Sequence, residues 1–167
     1  MIAVVGHPDL APWTRTLLEE ELRERLARCA EAGRTGLVRV GHGLPVAFGR
    51  AAQQAGLALV AVVPTLNRVP ALLRERDRLA AGELLLLSQQ VRLLEYDPVD
   101  RNAYVRADER LLRACARVVA IWDGTATSGH DTTAHLVAYA RRRGIDVEVL
   151  WPDGAERIPG PAGGESS

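Results

Sequence analysis

Residues 118–150 read VVAIWDGTATSGHDTTAHLVAYARRRGIDVEVL, and this stretch decides the fold. Val118–Trp122 is too short for an ordinary helix and is apolar almost throughout, which predicts a strand buried on both faces. A Gly-, Thr- and Asp-rich loop follows. Thr132 to Arg143 is predicted as a helix, with three arginines at its negative end and Gly144 to stop it. Val147–Leu150 then returns to strand character. A strand joined through a helix to a second strand makes a parallel pair with a right-handed crossover.

The same alternation runs outward from this unit. Ile2–Val5, Leu37–Val40 and Leu57–Val63 are further short runs of Val, Leu and Ile bounded by Gly or Pro. Between them the spacing predicts a helix from Pro12 to Ala32, with Trp13, Leu17, Leu18, Leu22 and Leu26 as its apolar stripe. Others are expected over Pro45–Ala55, from near Pro70 through ALLRERDRLAAG, and over Ala103–Ala116. Ala81–Tyr96 reads as the end of a helix followed by a short strand at Val91–Tyr96. The expected fold class is α/β: a Rossmann-like, doubly wound, mainly parallel sheet with helices on both faces. Residues 1–158 are expected to form one such domain, and PGPAGGESS, 159–167, has the composition of a disordered tail.

Composition narrows the function classes. The chain has 167 residues, is 47% hydrophobic and carries no net charge, which disfavours a large phosphate-tracking surface for nucleic acid. All 21 cationic residues are arginine, so Schiff-base and P-loop lysine chemistry are excluded from this sequence. Cys29 and Cys115 lie in apolar helical patterns without redox or metal spacing, and read as buried free thiols. The opening run MIAVVG lacks the charged leader of a secretion signal, and no stretch approaches a membrane span. A cytoplasmic protein without membrane association is expected.

In a doubly wound fold, ligands sit beyond the carboxyl ends of the strands. The loops predicted on that edge are GHPDLAP, GHGLP, PTLNRVP and DGTATSGHD, and they hold three of the four histidines. Loops on the opposite edge, such as EAGRTG, are plainer. Turn formation alone calls for Gly, Pro and Asp but not for histidine or clustered threonine. Gly41, Gly43 and Gly129 would let backbone approach a ligand closely, and the helices that follow offer free N–H groups. Gly6, His7, His42, Thr65, Ser128, Thr132 and Thr133 add polar groups on the same edge. Together these residues describe a lysine-free cradle for a phosphate or ribose phosphate. Asp131 is expected to cap the last helix, or to serve with Asp123 as a candidate catalytic carboxylate. His7, His42 and His130 come from separate loops, and histidines that hydrogen-bond a phosphate or ribose fit better than a metal site.

The segment RNAYVRADERLLRACARVVAIWDGTATSGHDTTAHLVAYARRRGIDVEVLWP resembles the C-terminal half of the SLOG superfamily. That group of Rossmann-like domains includes the LOG phosphoribohydrolases and the DNA-processing Smf proteins. The matching positions are Arg101 with Asn102, the strand at Val118–Ile121, Asp123–Gly124, Ser128–Gly129 with Thr132 and Thr133, and the final strand at Val147–Leu150. VVGHPDL and VGHGLPVAFGRAA resemble the family's first two loops. The resemblance implies a nucleotide or ribose-phosphate ligand, with Arg101 on a phosphate and Tyr104 near a base. It also implies a glutamate in the helix after the loop in the glycosidic enzymes, a place where this chain has Ala134 or His135. Hydrolysis of an N-glycosidic bond needs a carboxylate beside the anomeric carbon.

The resulting expectation is a binder of a nucleotide or nucleoside-phosphate-like ligand, acting as sensor or carrier. It would need no cofactor and no metal, and would associate as a homodimer or larger. The alternative is an N-glycosidic hydrolase or transferase acting on nucleoside monophosphates, with catalytic residues unknown beyond the candidates Asp123 and Asp131.

Overall fold

The computed structural model describes residues 1–158; the tail expected at 159–167 lies outside the described residues. The chain runs β1 (Ile2–Gly6), α1 (Pro12–Glu31), β2 (Thr35–Arg39), α2 (Leu44–Ala55), β3 (Ala58–Leu66) and β4 (Val69–Pro70). It continues through α3 (Glu75–Leu87), β5 (Gln90–Glu95), α4 (Arg101–Arg113), β6 (Arg117–Ile121), α5 (Thr133–Arg142) and β7 (Asp146–Leu150). The sheet order is β4-β3-β2-β1-β6-β7, with β5 also paired to β3. All pairs are parallel except the β3–β4 hairpin.

Alternating strand residues feed two cores, as a doubly wound fold requires. Ile2, Val38, Leu59, Ala61, Val119 and Ile121 pack with leucines of α1 and with Phe48 of α2 and Leu84 of α3. Ala3, Leu37, Val60, Val62, Val118 and Ala120 pack instead against Leu112 of α4 and Leu136, Val137 and Ala140 of α5. The expected Rossmann-like architecture is therefore the observed one. From β1 the chain proceeds first toward β2 and later returns to lay β6 on the other side, so the order reverses between β1 and β6.

Two local features differ from the sequence expectation. The buried stripe of α1 is Thr14, Leu18, Leu22, Leu26 and Cys29, while Trp13 is 52% exposed. Thr14 takes the inward position because its hydroxyl both donates to the Glu156 carbonyl and accepts from the Glu156 amide. Second, α3 starts at Glu75 rather than near Pro70. Asn67 and Arg68 both have positive φ, 53° and 67°, which turns the end of β3 back on itself as a two-residue hairpin. The strand expected at Val91–Tyr96 is observed as β5, an edge strand with Val91 and Leu93 exposed. No helix among the described residues is long and apolar enough to cross a membrane.

Candidate functional site

At the reversal point, β1 ends in Gly6 and His7 and β6 runs into Asp123. Gly6 is fixed by space, since an added Cβ would lie 2.5 Å from Leu44 Cδ2 and 2.8 Å from Ile121 Cβ. This contact seats the start of α2 directly on the β1–β6 pair.

His7 is 1% exposed and joins the two strand ends. Its Nδ1 lies 2.6 Å from Asp131 Oδ2, and its Nε2 lies 3.1 Å from the Asp123 amide and 2.9 Å from Asp123 Oδ1. With the proton on Nδ1, the ring donates to Asp131 and accepts the Asp123 N–H. Trp151 meets the ring edge-on, with centroids 5.7 Å apart. Arg157 closes the cluster from the chain's far end. Its Nε donates to Asp9, one terminal nitrogen to Asp131 at 2.9 Å and the other to the Thr125 hydroxyl. Backbone bonds Ala11–Glu156 and Ile158–Asp9 strap this segment across the β1–α1 loop.

Burial alone would raise both aspartates. Hydrogen bonds from the Thr125 hydroxyl and amide instead hold Asp123 at about 2, and bonds from His7 and Thr133 hold Asp131 at about 2. Asp131 lies one residue before the α5 N-cap, Thr132, and its Oδ1 accepts both the amide and the hydroxyl of Thr133, the first helical residue. The His7, Asp9 and Asp131 ligand atoms lie within 4.8 Å of one another, a spacing a cation could use. The Arg157 guanidinium already lies against both carboxylates.

Beside this cluster, toward β2, opens a cavity of about 470 Å³. Of the residues singled out from sequence, Gly6, His7, Gly41, His42, Tyr104, Thr132 and Thr133 line it, as does His130. Gly43 has φ 78° and ψ −120°, a conformation for glycine, and precedes an α2 N-terminus that has no side-chain cap and no acid in its first turn. The remaining candidates lie elsewhere. Thr65 is within β3, donating to Glu95. Arg101 reaches the Gly129 carbonyl at 2.7 Å, so it braces the 128–131 turn from outside the cavity. The Asn102 amide donates to the Asp100 side chain, the N-cap of α4. Gly124, Gly129 and Ser128 shape the β6–α5 loop, where Ser128 and Asp131 pair through their backbones. The three loop histidines do not meet: His42 pairs with Asp77, and His130 lies 3.3 Å from the Tyr104 hydroxyl.

The cavity also holds residues that sequence reasoning missed. Arg39 ends β2, makes two bonds to Asp108 of α4 at 2.6 and 3.1 Å, and stacks 5.6 Å over Tyr104. An arginine inside the apolar run LVRV was a legible signal, since such a residue needs a partner. Arg74 and Arg76, at the start of α3, line the same cavity. They looked like ordinary surface charge in a helical pattern.

One family model matches part of the chain, a domain of unknown function, DUF834, over residues 24–67. No curated protein matches. Among solved structures, the molybdenum cofactor carrier protein of Chlamydomonas reinhardtii is 18% identical with a TM-score of 0.56, over 89% of this chain and 74% of that one. The DNA processing protein A of Helicobacter pylori, described as binding single-stranded DNA, is 9% identical with a TM-score of 0.62. That match covers 90% of this chain but only 65% of the Helicobacter protein, less than two thirds of its length. At these identities the likeness shows a shared Rossmann-like fold.

Proposed function

We propose that this chain binds a nucleotide or nucleoside-phosphate-like ligand in the cavity beside the β1–β6 reversal point, as a sensor or carrier of the SLOG type. The observation that carries the reading is the lining itself. Glycine-bearing backbone at Gly41, cationic Arg39, Arg74 and Arg76, and aromatic groups at Tyr104 and His130 face one hollow. Its volume of about 470 Å³ lies within the range of small-molecule sites. The fold shared with a protein named as a cofactor carrier supports carriage as the role.

Binding is favoured over N-glycosidic cleavage by the state of the two candidate carboxylates. Asp131 is 7% exposed, and both aspartates are held by His7, a threonine and Arg157. A carboxylate so engaged braces the fold, and a nucleophile needs a free oxygen at the anomeric carbon. Cytoplasmic location belongs to the same reading and is supported by two buried free thiols. So does association into a homodimer or larger, supported by the exposed Leu79, Leu86 and Leu93 of α3 and the β5 edge.

Thermal shift against nucleoside mono-, di- and triphosphates tests binding, and stabilisation by at least one series is expected. No stabilisation at millimolar concentration would remove the reading. Chromatography of base released from nucleoside monophosphates tests the alternative, and no release is expected.

A further inference from the structure

We propose that the ligand is a nucleoside diphosphate or longer polyphosphate, lying with its phosphates at Arg74 and Arg76 and its ring at Tyr104 and His130. This rests on the binding reading above; it keeps the ring at Tyr104, as the family resemblance implies, and moves the phosphates from Arg101 to Arg74 and Arg76.

The two ends of the cavity differ in what they offer an anion. At the β6–α5 end several donors are already used. The Thr133 amide and hydroxyl bind Asp131, and the His135 amide binds the Thr127 hydroxyl at 2.9 Å. A phosphate seated on the start of α5 would lie against the Asp131 carboxylate, with Asp123 behind it. Arg101, the cation expected there, lies outside the cavity lining, with its Nε donating to the Gly129 carbonyl. Repulsion at short range outweighs what a half-occupied helix terminus gives.

The opposite end has two arginines with one acid, Asp77, beside them in the lining. Arg74 is the last extended residue before α3 and Arg76 lies in its first turn, and both line the cavity. Neither guanidinium has a hydrogen-bonded or ion-paired partner among the described residues. The nearby acids are committed elsewhere, Asp77 to His42 and Asp108 to Arg39. Two free guanidinium groups at one rim suit two phosphoryl groups, because each fork matches a pair of phosphate oxygens. A monophosphate would leave one of them unused. Tyr104, with Arg39 over its ring, and Val99 both line the cavity, an aromatic and an apolar surface for a base.

Calorimetric titration of the full chain separates the possibilities, using the diphosphates ADP, GDP, CDP and UDP with the matching monophosphates and nucleosides. The diphosphate of the preferred base should bind at least about tenfold more tightly than its monophosphate. The double variant Arg74→Gln, Arg76→Gln should reduce diphosphate affinity to the monophosphate level and leave the nucleoside within about twofold. Diphosphate affinity unchanged in the double variant, or equal to that of the monophosphate in the unsubstituted chain, overturns this assignment while the binding reading stands. Absence of any nucleotide binding to the unsubstituted chain overturns both.

Discussion

His7 Nδ1 lies 2.6 Å from Asp131 Oδ2, tying the end of β1 to the start of α5 across 124 positions of sequence. The bond sits beside the cavity and fixes the spacing of its walls. His7→Leu keeps the volume but strips Asp131 of one partner in a buried setting. A loss of about 3 kcal/mol is expected, read from the urea midpoint. A variant as stable as the parent would show that Thr133 and Arg157 hold Asp131 without His7.

The same cluster sets the acid limit of the fold. Asp123 and Asp131 titrate near 2 in the folded chain, below the usual carboxylate value of about 4. The unfolded state thus binds protons first as pH falls. The stability they supply is complete above about pH 4 and is lost between there and about pH 2. For Asp131 this is on the order of 2 kcal/mol. Asp131→Asn should flatten the acid limb of a stability-against-pH curve, and an unchanged limb would contradict the assignment.

Gly6→Ala places a methyl 2.5 Å from Leu44 at the α2 N-terminus. Overpacking there should cost about 1–3 kcal/mol and shift the Gly41–Leu44 loop. Thermal unfolding and nucleotide affinity should fall together. A stable variant with intact affinity would mean that the loop is independent of its seat.

Arg157 bonds to Asp9, Thr125 and Asp131. Arg157→Gln should destabilise by about 1–2 kcal/mol, more than an exposed ion pair supplies. Equal unfolding midpoints for variant and parent would show that the strap contributes nothing.

Leu86 is 88% exposed on α3. If the α3–β5 edge buries it against a second copy, Leu86→Glu should convert a dimer to monomer in sedimentation equilibrium without lowering helicity. An unchanged assembly would place the interface elsewhere.

Much of this architecture is legible because it is periodic. The runs at Ile2–Gly6 and Arg117–Ile121 are apolar on both faces, and a parallel sheet between two helical layers imposes that pattern. The β5 strand followed its helix as the sequence suggested. The hairpin at Asn67–Arg68 was hidden, since an arginine at positive φ carries no glycine signal. The loops that converge were visible by composition, yet the role of His7 was not. Its partners lie 116 and 124 positions away, and a buried imidazole between two carboxylates has the same letters as one facing a phosphate. Arg157 was invisible for the same reason, a charge beside Glu156 near a Pro- and Gly-rich end with no periodicity around it.

Backbone amide shift mapping during nucleoside diphosphate titration tests the central claim most directly. The account predicts perturbations concentrated at Gly41–Leu44, Arg74–Asp77, Tyr104 and His130–Thr133, the segments that enclose the cavity. Perturbations centred on the β7 edge or the outer face of α1, with those segments silent, would contradict it.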